Sequence, residues 1–485
     1  MPAIEIVVPK TGARLWQKIV VERLRTGGHE IAVVHGPGLP LPVAMRMAAK
    51  LERRLFRREE PGLMSLAGIA AAPATGPVEL SLDLTGVARD GAAPTLRLAF
   101  DGSLSDTAAL AATAAGRLPD IEAVLDGKIV ARAAPMIDKR ESAVLGADDV
   151  LARAITLAVS TAGRIVNGAH ERAPSNTGGG KKKRTPDFLR SYAFSALPRL
   201  GREALRRLRY RQAHWRVGYR FVDGAGVAET GELGDGWRQV PDDGSHFYAD
   251  PFPFEWQGRH FIFIEDYPHA TGKALISVVE VQQAGAPSTP KPVLEEPFHL
   301  SYPQVFARDG DIWMLPEASS SGRLTLYRAE RFPDRWTPEA MLVDGMAISD
   351  ATLLEHGGRL WLFATDRDGH GSTSDTLVVF HAPSLKGIWK PHRMNPILID
   401  RRRARPGGAF IHGGSRIILP VQDGTNGYGG GLGLSELLRL DEGDVLLSDP
   451  VSVDPKGDWP FPQIHTLNRA GRLEVIDGIA AIRKG

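Results

Sequence analysis

The chain has 485 residues, a formal net charge of +2, 43% hydrophobic and 24% charged residues, and no cysteine. This composition is typical of an ordinary globular protein with two or three domains. It excludes disulfides, thiolate metal sites and a chain-wide basic field for nucleic acid. The lack of cysteine favours a reducing compartment, and the opening residues lack the pattern of a secretory signal. No apolar run approaches the length of a membrane span, so we expect a cytoplasmic protein without a transmembrane segment.

Residues 1–170 show the alternating pattern of an α/β domain. The opening β-α-β unit is predicted from a strand, a helix and a strand at residues 4–8, 15–26 and 30–34. Further strands and a helix are predicted at residues 78–84, 94–100 and 149–166, with Asp148 or Asp149 as the helix N-cap. No G-x-G-x-x-G motif follows the first strand, so nucleotide binding is not indicated.

This half resembles the N-terminal domain of formyltransferases that act on methionyl-tRNA and amino-sugar nucleotides. The resemblance lies in the order of elements, in the run that begins at Gly27, and in residues 82–86. It implies an Asn, a His and an Asp that handle the tetrahedral intermediate. Where the family has Asn-x-His, this chain reads Arg97 to Asp101 without a histidine, so we interpret residues 1–170 as an inactive relative.

Residues 171–186 are rich in Pro, Ser and Gly and are predicted to be a flexible linker. The basic run at residues 181–184 is interpreted as solvated linker rather than as a phosphate or lipid contact. Residues 187–213 predict a basic helix or helix pair that bridges two domains. An interfacial anchor is the alternative, which leaves peripheral membrane contact open through residues 181–211.

A repeat of about 50 residues fills residues 214–485, with starts near residues 250, 302, 350, 405 and 461. Each start is a polar or Pro-bearing segment followed by apolar residues, a glycine and an aromatic-rich strand. The pattern predicts a C-terminal all-β domain that is a five-bladed β-propeller. Residues 215–222 are expected to supply an outer strand that closes the ring.

In a propeller, the start of each first strand and the end of each second strand lie on one face. The offset between them is 15 residues for Asp250 to Glu265 and 16 for Asp350 to Asp366. We therefore expect one ring of polar side chains at the channel mouth, although strand ends are often polar for solvation alone. The expected ring is Asp250, Glu265, Tyr302, Glu317, Asp350, Asp366, Arg405, Gln422, Asp423, His465 and Asp477.

Several carboxylates around one pocket suit glycosyl chemistry, because one protonated acid assists the leaving oxygen while an ionised carboxylate activates the attacking group. Crowded like charges raise one pKa and so separate the two roles. Aromatic faces for a sugar are expected from Tyr302, Trp313, Tyr428 and Trp459, beside a glycine-rich loop at residues 427–433. No cofactor is predicted; no histidine spacing demands a metal, although a divalent cation among the carboxylates is left open.

Residues 246–430 resemble the N-terminal domain of the glucosamine inositolphosphorylceramide transferase family. The resemblance is carried by residues 247–252, 301–306, 313–317, 324–328, 332–336, 361–363, 389–396, 422–423 and 428–429. Because the family's transferase chemistry belongs to a separate, following domain, the resemblance implies a fold and a glycan context rather than an activity.

The five blades are also similar to glycoside hydrolase family 43, which implies an Asp base in the first blade, a positioning Asp in the third and a Glu acid in the fourth. Asp250 and Asp350 match the first two positions, whereas the fourth blade opens with Arg405. Either Glu317 or Glu265 replaces the acid, or Arg405 holds a phosphate or carboxylate as in phosphorylase or nucleotide-sugar chemistry.

We therefore expect a carbohydrate-active protein, a glycosyltransferase, glycosidase or phosphorylase if active, whose partner is a glycan, sugar phosphate, nucleotide sugar or lipid-linked glycan and not nucleic acid. The expected catalytic residues are Asp250, Glu317 and Asp350. The expected substrate-binding residues are Glu265, Tyr302, Arg405, Gln422, Asp423, Tyr428 and His465. The alternatives are a non-catalytic glycan-binding module and a surviving sugar-nucleotide formyltransferase in residues 1–170.

Overall fold

The computed structural model describes residues 3–88, 93–168, 183–210, 214–461 and 463–480. The chain forms two compact units. Unit 1 comprises Met1–Arg206 with Asp368–Ser372, and unit 2 comprises Arg207–Arg367 with Thr373–Gly485. Residues 171–182 of the predicted linker and residues 211–213 of the predicted bridging helix lie outside the described residues.

Unit 1 contains a six-stranded sheet and a set of helices. Its strands are β1 (Ala3–Pro9), β2 (Glu30–Gly36), β3 (Val78–Asp83), β4 (Thr95–Phe100), β5 (Ile121–Leu125) and β6 (Lys128–Ala134). Its helices are α1 (Leu15–Thr26), α2 (Val43–Leu55), α3 (Thr107–Ala114), α4 (Ala143–Val166), α5 (Phe188–Ser191), a π-helical turn (Tyr192–Ala196) and α6 (Leu197–Arg209). The sheet order is β2-β1-β3-β4-β5-β6. The first four strands are parallel, with helices in the β1–β2 and β2–β3 crossovers, and the last two strands pair antiparallel.

Helix α4 begins six residues before the predicted start, which corrects the expected cap. Ser142 is the N-cap, and its hydroxyl accepts the Leu145 N–H. The carboxylate of Asp148 instead accepts the Leu63 N–H at 2.9 Å and pairs with Arg53 at 3.0 Å. Burial raises the pKa of Asp148 to about 6. Residues 143–147 extend the helix toward its N-terminus and are almost entirely apolar and buried, and the periodicity analysis missed that extension.

The predicted basic helix at residues 187–213 is helical from Phe188 to Arg209 in the part that the structure describes. Lys183 differs from the expected solvated linker, because its ammonium lies 3.0 Å from the Asp101 carboxylate and 3.7 Å from that of Asp120. None of the helices in the described ranges combines the length and apolar character that a bilayer span requires.

Unit 2 is built almost entirely of strands. In chain order they are β7 (Trp215–Phe221), β8 (Glu232–Gly234), β9 (Arg238–Gln239), β10 (His246–Trp256), β11 (Arg259–Pro268), β12 (Leu275–Val281), β13 (Lys291–Leu294), β14 (Ser301–Arg308), β15 (Asp311–Glu317), β16 (Arg323–Arg331), β17 (Arg335–Asp344), β18 (Ile348–His356), β19 (Arg359–Asp366), β20 (Thr376–Ala382), β21 (Lys390–Pro391), β22 (Leu398–Asp400), β23 (Ile411–Gly413), β24 (Arg416–Gln422), β25 (Leu432–Leu440), β26 (Val445–Leu447), β27 (Val451–Ser452), β28 (Asp454–Gly457), β29 (Leu467–Ala470) and β30 (Leu473–Ile479). One short helix, α7 (Val227–Thr230), precedes β8.

The strands of unit 2 are arranged like a propeller. Four separate antiparallel sheets have the orders β10-β11-β12-β13, β14-β15-β16-β17, β23-β24-β25-β26 and β29-β30-β7-β9. These sheets account for four of the five expected blades, whereas β18-β19-β20 of the third repeat do not form a separate four-stranded sheet. The outer positions there are two short strands, β21 and β22, which both pair with β20.

Alternation of side chains along these strands places apolar residues between neighbouring sheets. One such layer lies between the sheets of the second and third repeats and includes Trp313, Leu326, Leu362 and Phe380. Residues 215–221 form β7, which pairs antiparallel with β30 and joins the beginning and end of the unit in one sheet, although β9 rather than β7 is the outermost strand of that sheet.

Candidate functional site

The same backbone irregularity occurs at the start of three first strands. The register of the first hairpin shifts between Ala249 and Phe252 in β10, and equivalent shifts occur in β14 and β18. The residues at these bulges have left-handed backbone conformations, with φ of 47° at Asp250, 46° at Tyr302 and 51° at Asp350. Positive φ is uncommon outside glycine, and bulges re-aim side chains beside functional sites. The repeated bulge therefore redirects one side chain per repeat.

Carboxylates at second-strand ends hold two of these bulges. The Asp477 carboxylate, on β30, accepts the Asp250 N–H at 3.2 Å. The Glu317 carboxylate, at the end of β15, accepts the Asp350 N–H at 3.1 Å. In each case an acid of one sheet satisfies the strained backbone of the next sheet, so four predicted residues of the ring are brought together in pairs.

The first group of side chains surrounds His465. Its Nδ1 lies 2.7 Å from Asp477 Oδ2, and its Nε2 lies 3.4 Å from Asp250 Oδ1. The hydroxyl of Thr466 donates to Asp250 Oδ1 at 3.0 Å. Trp215 stacks on the imidazole with ring centroids 4.0 Å apart. All of these residues are buried, so the group is a desolvated charge cluster.

The environment raises the pKa of both Asp250 and His465. Burial, together with the nearby carboxylates of Glu265, Asp350 and Asp477, raises the pKa of Asp250 to about 7, against the opposing effect of His465. Burial alone would lower the pKa of His465, but the carboxylates of Asp477 and Asp250 outweigh burial and raise it to about 9. Near neutral pH, His465 is therefore protonated and positively charged, and Asp250 can gain or lose a proton.

The second group is centred on Asp350. Arg405 donates to both carboxylate oxygens, at 2.5 Å from Nε and 3.1 Å from Nη2, and Gln422 donates to Oδ2 at 2.6 Å. The remaining Nη1 of Arg405 donates to the hydroxyls of Thr373 and Ser374. Most of the Arg405 donors are thus used inside the protein, which argues against the expected contact with a phosphate or carboxylate of a substrate. Burial raises the pKa of Asp350, against the opposing charge of Arg405.

Glu265 has a partner that the sequence analysis missed. His299, in the loop before β14, places Nε2 3.2 Å from Glu265 Oε1, and its Nδ1 accepts the Ala274 N–H at 3.3 Å. Burial alone would lower the pKa of His299, but the hydrogen bond and charge of Glu265 raise it. No sequence signal identified His299, because it lies in an irregular segment outside the repeated pattern.

Three residues of the expected ring have other roles. The Tyr302 hydroxyl lies 2.8 Å from Thr352 Oγ1 and accepts the Gly408 N–H at 2.7 Å, inside the protein. Asp423 caps the short 3-10 turn that follows β24 by accepting the Thr425 N–H. In the first repeat, Glu265 pairs with Ala249. In the third repeat, the equivalent pair is Thr365 with Ser349, so Asp366 lies one residue beyond the position of Glu265. A shift of one residue sends a strand side chain to the opposite face, so the offset of 16 breaks the expected equivalence.

Tyr428 is the aromatic side chain most accessible at the site, with 51% of its surface exposed. Its ring centroid lies 5.4 Å from the Arg405 guanidinium and 5.5 Å from the His465 ring. The loop around it is packed, because a Cβ at Gly429 (φ 67°) would come within 2.4 Å of Trp215. The tight approach therefore requires glycine there.

Asp250, His465 and Asp477 offer ligand atoms within 4.8 Å of one another. Two carboxylates and an imidazole form a donor set that suits a divalent transition metal. Such an ion requires neutral His465, whereas the surrounding carboxylates raise the pKa of His465 to about 9. A metal and the His465 proton therefore compete for this cluster.

Comparison with known proteins places the similarity in unit 2. The family model described as glucosamine inositolphosphorylceramide transferase 1, N-terminal, matches residues 238–445, which confirms the resemblance predicted from the sequence. Glucosamine inositolphosphorylceramide transferase 1 of Arabidopsis thaliana is 35% identical over 231 residues, or 46% of this chain and 30% of that protein. The protein of the same name from Oryza sativa subsp. japonica is 36% identical over 201 residues, or 40% and 27% of the two chains. The chain thus spans less than a third of the length of these relatives.

Several solved glycoside hydrolases are similar to parts of the chain. The catalytic domain of a Coprinopsis cinerea GH62 α-L-arabinofuranosidase has a TM-score of 0.35 and 15% identity, covering 46% of this chain and 78% of that one. An exo-β-1,3-galactanase from Phanerochaete chrysosporium has a TM-score of 0.34 and 15% identity, covering 44% and 54%. At these TM-scores the similarities carry no argument about activity.

Proposed function

We propose that unit 2 is a five-bladed propeller whose channel mouth binds a glycan or an activated sugar and transfers or cleaves its glycosyl group. In this proposal β18-β19-β20 are the third blade. The match to a transferase-named family supports the carbohydrate class of substrate. The internal pairing of Arg405 removes the argument for a phosphate group at that residue.

The observation that carries the proposal is the state of Asp250. This carboxyl is 3% exposed, stands on a left-handed bulge and has a pKa raised to about 7 by burial and neighbouring acids. A purely structural surface acid needs neither a strained backbone nor a proton that exchanges near neutral pH. Both properties suit a general base that takes the proton of an attacking hydroxyl.

The other roles follow from hydrogen bonding. Glu317 already accepts from the Asp350 N–H and the Ser319 hydroxyl and lies 3.6 Å from Arg405, so it is a poor proton donor. Glu265 lies 3.2 Å from His299 and raises its pKa, so the protonated imidazole of His299 supplies the proton to the leaving oxygen as the bond from that oxygen to the anomeric carbon breaks. The attacking hydroxyl of water or an acceptor sugar loses its proton to Asp250 and bonds to the anomeric carbon. Asp350 positions the site through Arg405 and Gln422, and Tyr428 offers a ring face to the sugar.

The test measures turnover of nucleotide sugars, sugar phosphates and oligosaccharides by the wild type, Asp250→Asn and Glu265→Gln. We expect each substitution to lower turnover by about 10²–10⁴-fold, the usual contribution of general acid–base catalysis. Asp309→Asn is the matched control, because Asp309 also has a left-handed backbone (φ 54°) but is exposed in the β14–β15 turn. Turnover that survives in Asp250→Asn would contradict the proposed base.

A non-catalytic glycan-binding module is the second candidate, and the internal ion pairs at Asp350 and Arg405 favour it. In that case the wild type and Asp250→Asn bind a glycan without turnover of any donor. Tyr428→Ala then lowers affinity in both proteins, because stacking on the exposed ring is lost.

A further inference from the structure

Helix α2 of unit 1 has two apolar faces. Its inner face buries Met45, Ala48 and Glu52. Its outer face carries a stripe of large apolar side chains that are 55–66% exposed and repeat every four residues, namely Val43, Met47, Leu51 and Leu55. Residues four apart lie on one side of a helix, so this stripe is continuous. A helix whose core contacts are already made has no internal use for a second apolar face.

The helical segment from Phe188 to Arg206 also exposes large apolar side chains, while one of its basic residues is directed inward. Arg199 is directed inward, where it donates to the carbonyl oxygens of Thr113 at 2.7 Å and Arg140 at 3.2 Å. Four of its large apolar side chains are 45–80% exposed, namely Leu189, Phe194, Leu197 and Leu205, whereas Phe188 is buried. An ordinary surface helix buries its apolar stripe, so these four exposed side chains are unusual.

The two elements are neighbours within unit 1. The Glu52 carboxylate, on α2, accepts the Val144 N–H at 3.1 Å, and Arg199, on the second segment, donates to the nearby Arg140 carbonyl at 3.2 Å, so both elements contact the chain around the start of α4. Their exposed apolar residues are named here the outer apolar face, and they comprise Val43, Met47, Leu51, Leu55, Leu189, Phe194, Leu197 and Leu205. Exposed apolar patches of this kind mark protein or membrane contacts.

Basic side chains accompany the outer apolar face. Along α2 the exposed charged residues are Arg46, Lys50 and Arg54, and the acid of that helix, Glu52, is buried. On the second segment Arg190 and Arg202 are also exposed. Exposed apolar residues beside lysine and arginine are typical of helices that lie in the interface of an anionic bilayer.

We propose that the outer apolar face of unit 1 docks on an anionic lipid bilayer, with both helical elements lying in the plane of the membrane. The apolar side chains enter the boundary between head groups and acyl chains, and the basic side chains contact the anionic head groups. The alternation of charge and apolar surface favours lipid over a protein partner, because a bilayer accepts both without a matched acidic counterpart. This surface is independent of the channel-mouth site.

The test is co-sedimentation of the full chain with phosphatidylcholine vesicles that contain phosphatidylserine, compared with vesicles of phosphatidylcholine alone. We expect binding only to the anionic vesicles, weakened by salt. The triple variant Arg46→Gln, Lys50→Gln, Arg54→Gln should bind on the order of a hundredfold more weakly, since each basic residue near the surface contributes to attraction. Met47→Ser with Leu51→Ser, and separately Phe194→Ser, should also weaken binding.

The matched control replaces equally exposed apolar residues of unit 2, as Ile388→Ser, Leu438→Ser and Val451→Ser, which should leave binding unchanged. Unchanged thermal unfolding of all variants separates loss of docking from loss of fold. Absence of binding by the wild type would overturn the proposal, as would binding that the variants do not alter. A dimer in solution that Met47→Ser and Leu51→Ser dissociate would overturn it too, because a second copy would then cover the face.

Discussion

The Arg405 guanidinium grips the Asp350 carboxylate at both oxygens, with Nε 2.5 Å from Oδ2 and Nη2 3.1 Å from Oδ1. Both residues are buried, so the attraction between them offsets the cost of removing both charges from water. Its contribution appears mainly when one partner is removed, because the other charge is then left without compensation in a dry site.

Arg405→Met should therefore destabilise the protein by about 3–5 kcal/mol, the usual cost of a broken buried ion pair. Urea unfolding of the purified chain measures this free energy. Arg416→Met is the matched control, because Arg416 pairs with Glu436 at 2.9 Å on the surface, where the cost is about 0–1 kcal/mol. Equal losses in the two variants would contradict a buried, committed Arg405.

Asp250 should make stability fall as pH rises from about 4 to about 7. Its ordinary pKa of 3.8 is raised to about 7 in the folded protein, so the folded state binds more protons across this range. Asn mimics the protonated carboxyl, so Asp250→Asn should match the wild type near pH 4 and exceed its melting temperature above pH 7. A difference that does not vary with pH would show that Asp250 titrates normally. The pKa of His465 is raised from 6.5 to about 9 in the folded protein. Protonated His465 therefore stabilises the fold below pH 6.5, and this contribution is lost as pH rises through 9.

Tyr302→Phe should affect stability rather than glycan binding. The substitution removes the oxygen that accepts the Gly408 N–H, and a buried donor left unsatisfied costs about 1–3 kcal/mol. Tyr428→Phe provides the comparison, because its hydroxyl is 3.5 Å from His465 and the residue is half exposed. If Tyr302→Phe weakens glycan affinity at unchanged stability, the ring belongs to the substrate site after all.

Removal of divalent metal should leave the melting temperature unchanged at pH 7. With a pKa of about 9, His465 keeps its proton there and pairs with Asp477 and Asp250. Thermal unfolding with and without EDTA measures this. A drop of several degrees that added Mn²⁺ or Zn²⁺ reverses, and that His465→Gln abolishes, would show that an ion displaces the proton.

The repeat could be predicted from the sequence because each first strand has a polar start and is followed by a glycine turn and an aromatic-rich second strand. The fixed spacing from Asp250 to Glu265 also indicated which strand ends meet. The same logic failed at Asp366, since spacing alone does not reveal a one-residue change in register. It failed at Tyr302 because a left-handed backbone turned that side chain toward Thr352 and Gly408.

The sequence also did not show which charged side chains of the site contact one another. Arg405 and Asp350 are 55 residues apart and only the fold brings them together. His299 contacts Glu265 from an irregular loop, where no periodicity constrains a prediction. Most charged residues of the site could thus be identified from the sequence, whereas their pairing and the partner His299 could not.

The closure of unit 2 has a consequence for how the site comes into existence. The Asp250 N–H donates to Asp477, within β30, and the Asp250 carboxylate accepts from Thr466, directly before β29, both in the last strands of the unit. During synthesis Asp250 emerges more than two hundred residues before these partners. Most of the unit is therefore synthesised before Asp250 can acquire its final environment. A nascent chain stalled before β30 would lack the contact between Asp250 and Asp477.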